Sequence, residues 1–255
     1  MLMVISPAKA LNLAPPPARA AMTAPALAGD IAVLAEVTRK LTARKLMALM
    51  GISDKLAALN AARFAAFDPA GEEGLQAVFA FNGDVYLGLK ARELDRAALA
   101  WAQDHLAILS GLYGLLRPLD AIQPYRLEMG SRLKTRRGAD LYAFWGDRIA
   151  RRLNEAAEGQ ADPTLVNLAS QEYFRAVDRD ALKLPVVACH FKEARAGGLL
   201  ALGYAAKRAR GLMARYAIDS RAERAEDLKA FAVDGFRFRP EASTDTDWAF
   251  VRAAA

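Results

Sequence analysis

The stretch Leu109–Met129, LSGLYGLLRPLDAIQPYRLEM, sets the tightest limit on how this chain folds. Pro118 and Pro124 bar a helix, because each removes a backbone donor and collides with the preceding turn. The apolar residues do not alternate, so a half-buried strand is barred as well. A segment that fits neither period yet stays apolar is expected to be a tightly packed, irregular wall. Arg117, Asp120, Arg126 and Glu128 sit on it. Charged groups held on such a wall are candidate site residues. The two acids most simply serve the two arginines, since buried arginine–carboxylate forks need such partners.

Around the wall, strands and helices mix without a regular βαβ rhythm. This favours an α+β domain over a doubly wound sheet. Leu2–Ile5 reads as a buried first strand rather than a secretory signal, since it lacks a basic leader and is too short. A Pro-rich loop runs through Pro15–Pro17. Residues 30–41 carry a helical apolar stripe at Ile31, Leu34, Val37 and Leu41. Thr42 is placed to cap a helix over Ala43–Met50, and Ser53 one over Asp54–Phe67. Helices are also expected over Glu72–Phe81, Asp95–Leu109, Leu141–Ala157, Ser170–Val177 and Ala206–Ile218. In the last of these, Gly211 costs up to about 1 kcal/mol relative to alanine. Asn82–Leu89 reads as turn, short strand, turn. Strands are expected at Leu165–Leu168, Pro185–Phe191, Gly198–Gly203, Phe236–Arg239 and Trp248–Val251. With 255 residues, 54% of them hydrophobic, and no linker, the chain is read as one domain, 1–255.

The net charge of +6 is moderate, so its distribution matters more than its size. Tyr204–Tyr216 holds four basic residues and no acid, and Arg117–Arg152 holds nine basic residues against four acids. Acids gather at Asp68–Glu73 and Glu223–Asp227. Segregated basic charge suggests an anionic partner, most simply a phosphate backbone; a scattered arginine-rich surface is the plainer reading.

Met50-Gly51-Ile52 joins two short helices and is followed by Ser53, Asp54 and Lys55. This element, 43–67, has the form of a helix-hairpin-helix. The glycine turns the backbone, and the free N–H groups of the next helix start can hold a phosphate without reading sequence. An ordinary αα-hairpin with a glycine cap is the plainer reading, and Asp54 competes for the same donors. On the basic helix, Lys207 and Arg210 share one face, and Arg208 and Arg215 another. Lys9, in Ser6-Pro7-Ala8-Lys9 at the end of the first strand, is placed to enter a cleft. There it would hold phosphate or act as an amine nucleophile; a surface lysine is the plainer reading.

Two histidines, His105 and His190, and one cysteine, Cys189, supply no zinc spacing and no internal disulfide. No Walker loop, dinucleotide fingerprint or nucleophile elbow is present. No apolar run reaches the ~18 residues of a membrane span. No cofactor and no resident metal are expected. The lone cysteine fits a reducing cytoplasm, and a monomer is favoured.

Seven segments, Ile5–Lys9 (ISPAK), Ile52–Phe64, Asn82–Leu89, Leu109–Met129, Leu141–Trp145 (LYAFW), Asn167–Phe174 (NLASQEYF) and Lys207–Arg215 (KRARGLMAR), together resemble the bacterial peroxide stress protein YaaA family. They span nearly the whole chain, in order. The resemblance implies a cytoplasmic DNA-binding protein with a helix-hairpin-helix and a positive cleft. It also implies a role in limiting free intracellular iron during peroxide stress, and it brings no established enzymatic activity. The family pattern carries over at Met50, Gly51, Ile52, Lys9, Arg117, Arg126, Lys207 and Arg210. It departs at Ala205, where the family often has a second aromatic after Tyr204, and at Arg208, where lysine is more usual.

The expected function is therefore sequence-independent DNA binding in the oxidative stress response. The contacting residues would be Met50, Gly51, Ile52, Ser53, Lys55, Lys9, Arg117, Arg126, Lys207, Arg208, Arg210 and Arg215. The alternative is an enzyme on nucleic acid resembling base-excision lyases, with Lys9 as the amine and Asp120 or Glu128 as acid–base partner. Direct iron binding by carboxylates ranks last.

Overall fold

A computed structural model describes residues 1–16, 21–71, 74–201 and 203–253. The end of the Pro-rich loop (17), two acids of the 68–73 run and the start of the expected 72–81 helix (72–73), and position 202 of the expected 198–203 strand lie outside the described residues.

The chain opens with strand β1 (Leu2–Ile5), and β2 (Ala10–Leu11) follows. Three helices come next: α1 (Ala28–Thr38), α2 (Ala43–Met50) and α3 (Asp54–Ala66). A run of short elements leads on, β3 (Leu75–Gln76), α4 (Ala77–Ala80), β4 (Phe81–Asn82) and α5 (Asp84–Leu89). Helix α6 (Arg96–His105) passes directly into β5 (Leu106–Ser110), which turns into β6 (Gly114–Leu116) and then β7 (Ala121–Ile122). Helices α7 (Leu141–Trp145) and α8 (Arg148–Ala156) precede β8 (Leu165–Leu168), α9 (Gln171–Phe174), β9 (Val186–Arg195) and β10 (Gly198–Leu200). The long helix α10 (Gly203–Ser220) leads to the closing strands β11 (Ala232–Val233), β12 (Phe236–Phe238) and β13 (Asp247–Ala253).

The main sheet is mixed, with the order β11-β12-β13-β9-β8-β1-β5-β6 and β10 beside β9. This agrees with the α+β expectation. At its centre β13, β9, β8, β1 and β5 all run parallel. From β1 the chain adds β5 on one side, then returns to add β8, β9 and β13 on the other. That is the strand order of a doubly wound sheet, with its reversal point between β1 and β8. The sequence hides it because connections of very different length and content separate the strands. β1 is an unbroken apolar run, all of it buried, as a parallel strand covered on both faces must be. Ile5 lies between Ile108 of β5 and Leu168 of β8.

The Leu109–Met129 wall is as irregular and as buried as its composition demands. It contains the end of β5, all of β6 and β7, and loops between them. Leu109, Leu112, Leu116 and Met129 are fully buried. The Ser110 and Tyr125 hydroxyls bond at 2.6 Å, and the Trp145 indole donates to the Gly111 carbonyl at 3.1 Å.

Several expected elements change form. Asn82–Leu89 is not a strand between turns but contains helix α5. Its Gly88 meets Gly211 of α10 so closely that a Cβ at position 88 would lie 2.1 Å from the Arg208 carbonyl oxygen, and one at 211 only 1.8 Å from that of Val85. Tertiary packing, not local periodicity, fixes this helix. The described part of the expected 72–81 helix divides into β3, α4 and β4, because Leu75 pairs with Ile122 and Phe81 with Leu11. The expected helix 141–157 breaks at Gly146, whose φ of 49° suits glycine. Its row Leu141, Trp145, Ile149 and Leu153 is nevertheless fully buried. Asp95–Leu109 stops being helical after His105 and continues as β5.

Candidate functional site: a basic cleft at the reversal point of the sheet

In open parallel sheets, ligands bind beyond the carboxyl ends of the strands where the strand order reverses. Here that point lies between Ser6, just after β1, and Ser170, two residues beyond β8. The two serines tie the strand ends together. The Ser6 hydroxyl accepts from the Ser170 backbone N–H at 2.8 Å and donates to the Ser170 hydroxyl at 3.2 Å. Tyr86 of α5 donates its hydroxyl to the Ser6 carbonyl at 3.2 Å. Burial, and then the neighbouring Tyr125 and Tyr173, hold that phenol well above its ordinary range, so it stays neutral.

Beyond these strand ends opens a cavity of about 520 Å³ whose lining includes Lys9, Asp84, Glu172, Lys207 and Arg210. Lys207 and Arg210 come from one face of α10, as their spacing requires. The Arg210 guanidinium is desolvated, and its Nε is buried without a hydrogen-bond partner. Burial pulls its pKa below the usual arginine value. Among the described residues no acid stands within ion-pair distance of Arg210 or Lys207. The acids of the cavity are placed otherwise: Glu172 accepts from the Gly130 N–H at 3.0 Å, and Asp84 opens α5.

Lys9 Nζ lies 2.7 Å from Glu128 Oε2, and Arg126 Nη2 lies 3.1 Å from Glu128 Oε1. Glu128 is therefore a clamp between two cations, but neither it nor Arg126 lines the 520 Å³ cavity. Asp120 plays the same part for Arg117. Its carboxylate, 1% exposed, accepts from the Arg117 side chain at 3.0 and 3.2 Å, from the Arg117 N–H at 2.7 Å and from Thr23 at 2.6 Å. Both acids are ion-paired, Asp120 with Arg117 and Glu128 with Lys9 and Arg126.

The expected single cleft is smaller than the set of basic residues proposed for it. Arg117 lines a separate cavity with Leu2, His105 and Arg152, towards the opposite end of β1. The reason is topological: it follows β6, which runs antiparallel to β5. Arg208 turns to Asp234 at 3.0 Å, and Arg215 to Asp219 at 2.9 Å and to the Lys90 carbonyl. Both lie on the other face of α10 and do not line the cleft.

The hairpin forms as the sequence requires. Thr42 accepts from the Lys45 N–H at 3.4 Å, and Gly51 takes a φ of 61° to end α2. Ser53 holds the cap position of α3 but, contrary to expectation, makes no side-chain cap bond. Ile52 is buried, Lys55 is exposed, and none of Met50, Gly51, Ile52, Ser53 or Lys55 lines the 520 Å³ cavity. The hairpin is a separate surface, packed on α1.

Sequence reasoning did not single out Ser6, Tyr86, Ser170 or Gln171 as site residues. The available signal was a polar residue directly after each of two apolar strand runs. Among the described residues, no three His, Cys, Asp or Glu side chains gather as a metal ion would require. Among the same residues, no helix is long and apolar enough to cross a membrane.

Fold and site together define a mixed-sheet protein with a basic crevice at the reversal point of its parallel strands. The peroxide stress protein YaaA family matches residues 1–242, and the chain belongs to that family. A UPF0246 protein of Caulobacter vibrioides (strain NA1000 / CB15N) is 68% identical over 252 residues, which cover 99% of both chains. Another, from Phenylobacterium zucineum (strain HLK1), is 66% identical over 252 residues, 99% of this chain and 95% of that one. A third, from Delftia acidovorans, is 52% identical over 260 residues, covering both chains fully.

Proposed function

We propose that this chain is a DNA-binding protein of the peroxide stress response, which helps limit free intracellular iron and protects DNA. The carrying observation is that Lys207 and Arg210, neither balanced by an acid, line one cleft with Lys9. An uncompensated, desolvated cation is costly to the folded chain unless an anion completes it. A phosphate backbone is the anion that suits Arg210 together with the exposed Lys207 and Lys9. The α2–α3 hairpin, with open N–H groups at the start of α3 and Lys55 beside them, supplies a second phosphate contact. The family to which the chain belongs supports the peroxide stress setting. The effect on iron is indirect in this reading, because among the described residues no three His, Cys, Asp or Glu side chains gather as a metal ion would require.

Such binding is independent of sequence and steeply dependent on salt. With about five phosphates neutralised, log K falls with log salt with a slope of roughly −4 to −5. Charge reversal of both Lys207 and Arg210 weakens binding to all duplexes alike. Fluorescence anisotropy across a salt series tests this. A flat salt response, or wild-type affinity in the double variant, overturns it. In the lyase alternative Lys9 is the amine and Glu128, 2.7 Å away, its acid–base partner; absence of a Lys9-dependent adduct on borohydride trapping with abasic DNA overturns it.

A further inference from the structure

Arg210 also lines a second cavity, of about 690 Å³, at the end of β8 and beside Ala188–His190 of β9. Gln171 is the other residue common to both cavities. The second cavity differs in chemistry from the first. Phe174 and Val177 give it apolar walls, and Asn167 projects a polar group into it. The Asn167 Oδ1 is fixed by the Ala169 N–H at 2.9 Å. Its Nδ2 has no partner among the described residues and remains a donor. Arg179 sits over the Phe174 ring at 5.9 Å. These residues belong to the NLASQEYF stretch and its continuation, to which the DNA-binding reading assigns no task.

We propose that the two cavities form one site for a nucleoside monophosphate. The phosphate lies against Arg210 and Lys207, the sugar passes Gln171, and the base lies on Phe174 with an edge acceptor at Asn167 Nδ2. Each part answers a separate feature. Arg210, which no described acid balances, lines both cavities and calls for an anion. A cavity with an aromatic wall at Phe174 and polar groups around it suits a base, whose faces stack on rings and whose edge takes amide hydrogen bonds. Both volumes fall within the roughly 300–1,000 Å³ of small-molecule sites. The position, at the reversal point of a parallel sheet, is where such folds hold nucleotides. The ligand is either a free nucleotide or one displaced from a strand. The proposal does not require duplex binding.

Calorimetric titration of the full chain tests it, using the four deoxynucleoside monophosphates, their nucleosides, deoxyribose 5-phosphate and inorganic phosphate. In a second arm, a duplex with one bulged nucleotide is compared with the same duplex without it. We expect at least one monophosphate to bind tenfold or more tighter than its nucleoside and than inorganic phosphate, or the bulged duplex to be preferred tenfold over the plain one. The first result assigns the free ligand and the second the strand. In either arm, Arg210→Met and Phe174→Leu each remove the gain, while Phe174→Leu leaves deoxyribose 5-phosphate and plain-duplex binding at wild-type levels. Asn167→Asp, which keeps the acceptor to Ala169 and removes the donor, reports on the same slot should the leucine variant fold poorly. If neither arm shows a gain that depends on Arg210 and on Phe174 or Asn167, the proposal is overturned. Salt-dependent binding of the plain duplex then still decides the DNA-binding reading by itself.

Discussion

At the scale of single residues, the contrast between Arg210 and Cys189 is instructive. They lie beside each other where β9 meets α10, Cys189 buried and Arg210 half-buried. Arg210 cannot shed its proton, so burial leaves it charged and in need of a partner. Cys189 can stay neutral, and burial pushes its thiol up to about 12, with Arg210 only partly offsetting that rise. A thiol so placed has almost no thiolate at neutral pH, and the thiolate is the reactive form. The sole cysteine of this peroxide stress family member is thus a packing residue. Native protein at pH 8 should react with a thiol-specific disulfide reagent at well under one-hundredth of the rate seen in urea, and peptide mapping after hydrogen peroxide should find Cys189 still a thiol. Rapid labelling of the native state would contradict this.

At the scale of elements, the α5–α10 crossing decides the shape of the cleft. Gly88 and Gly211 let the two backbones touch, and the same stretch of α10 presents Lys207 and Arg210. A glycine that costs a helix up to about 1 kcal/mol in isolation is retained because no Cβ fits. Gly211→Ala should therefore destabilise the protein by roughly 2 kcal/mol despite its better helix propensity, since the clash is with backbone atoms that no rotamer change relieves. Gly29→Ala in α1, where a Cβ meets open space, should instead be neutral or stabilising by up to about 1 kcal/mol. Urea unfolding of both variants checks the pair. Equal effects would show that propensity alone governs the two sites. The α2–α3 hairpin is the opposite case, since Thr42 and Gly51 settle its ends locally, and it was legible from sequence almost to the residue.

For the whole molecule, the far end of the sheet is held by charge as well as by pairing. Glu193 of β9 accepts from Arg252 of β13 at 2.6 Å and from Arg195 at 3.1 Å. The hydrogen bond from Arg252, then that from Arg195, hold its carboxyl below the usual glutamate range. A folded pKa below the unfolded value, about 4.3, gives stability that is complete above that value and is lost as pH falls through the folded one. Glu193→Gln should therefore lower the urea midpoint at pH 7, and its difference from wild type should shrink progressively from pH 5 towards pH 3. A difference that persists unchanged at pH 3 would assign the effect to packing instead.

Much of this molecule was open to sequence reading. The buried β1 run, the irregular wall, the cap at Thr42 and the Arg117–Asp120 and Arg126–Glu128 pairs all depend on residues close in the chain, where spacing alone dictates contact. The wall and the six other motif segments likewise marked the family without coordinates. What only the tertiary structure decided is which cations share a cleft. Lys9 meets Glu128 across nearly half of the sequence, Arg117 leaves for the opposite end of β1, and Ser6 and Ser170 meet only because β8 lies beside β1. Local spacing places a residue on a face. The order of strands, set by burial of the whole apolar content at once, determines which faces look at each other.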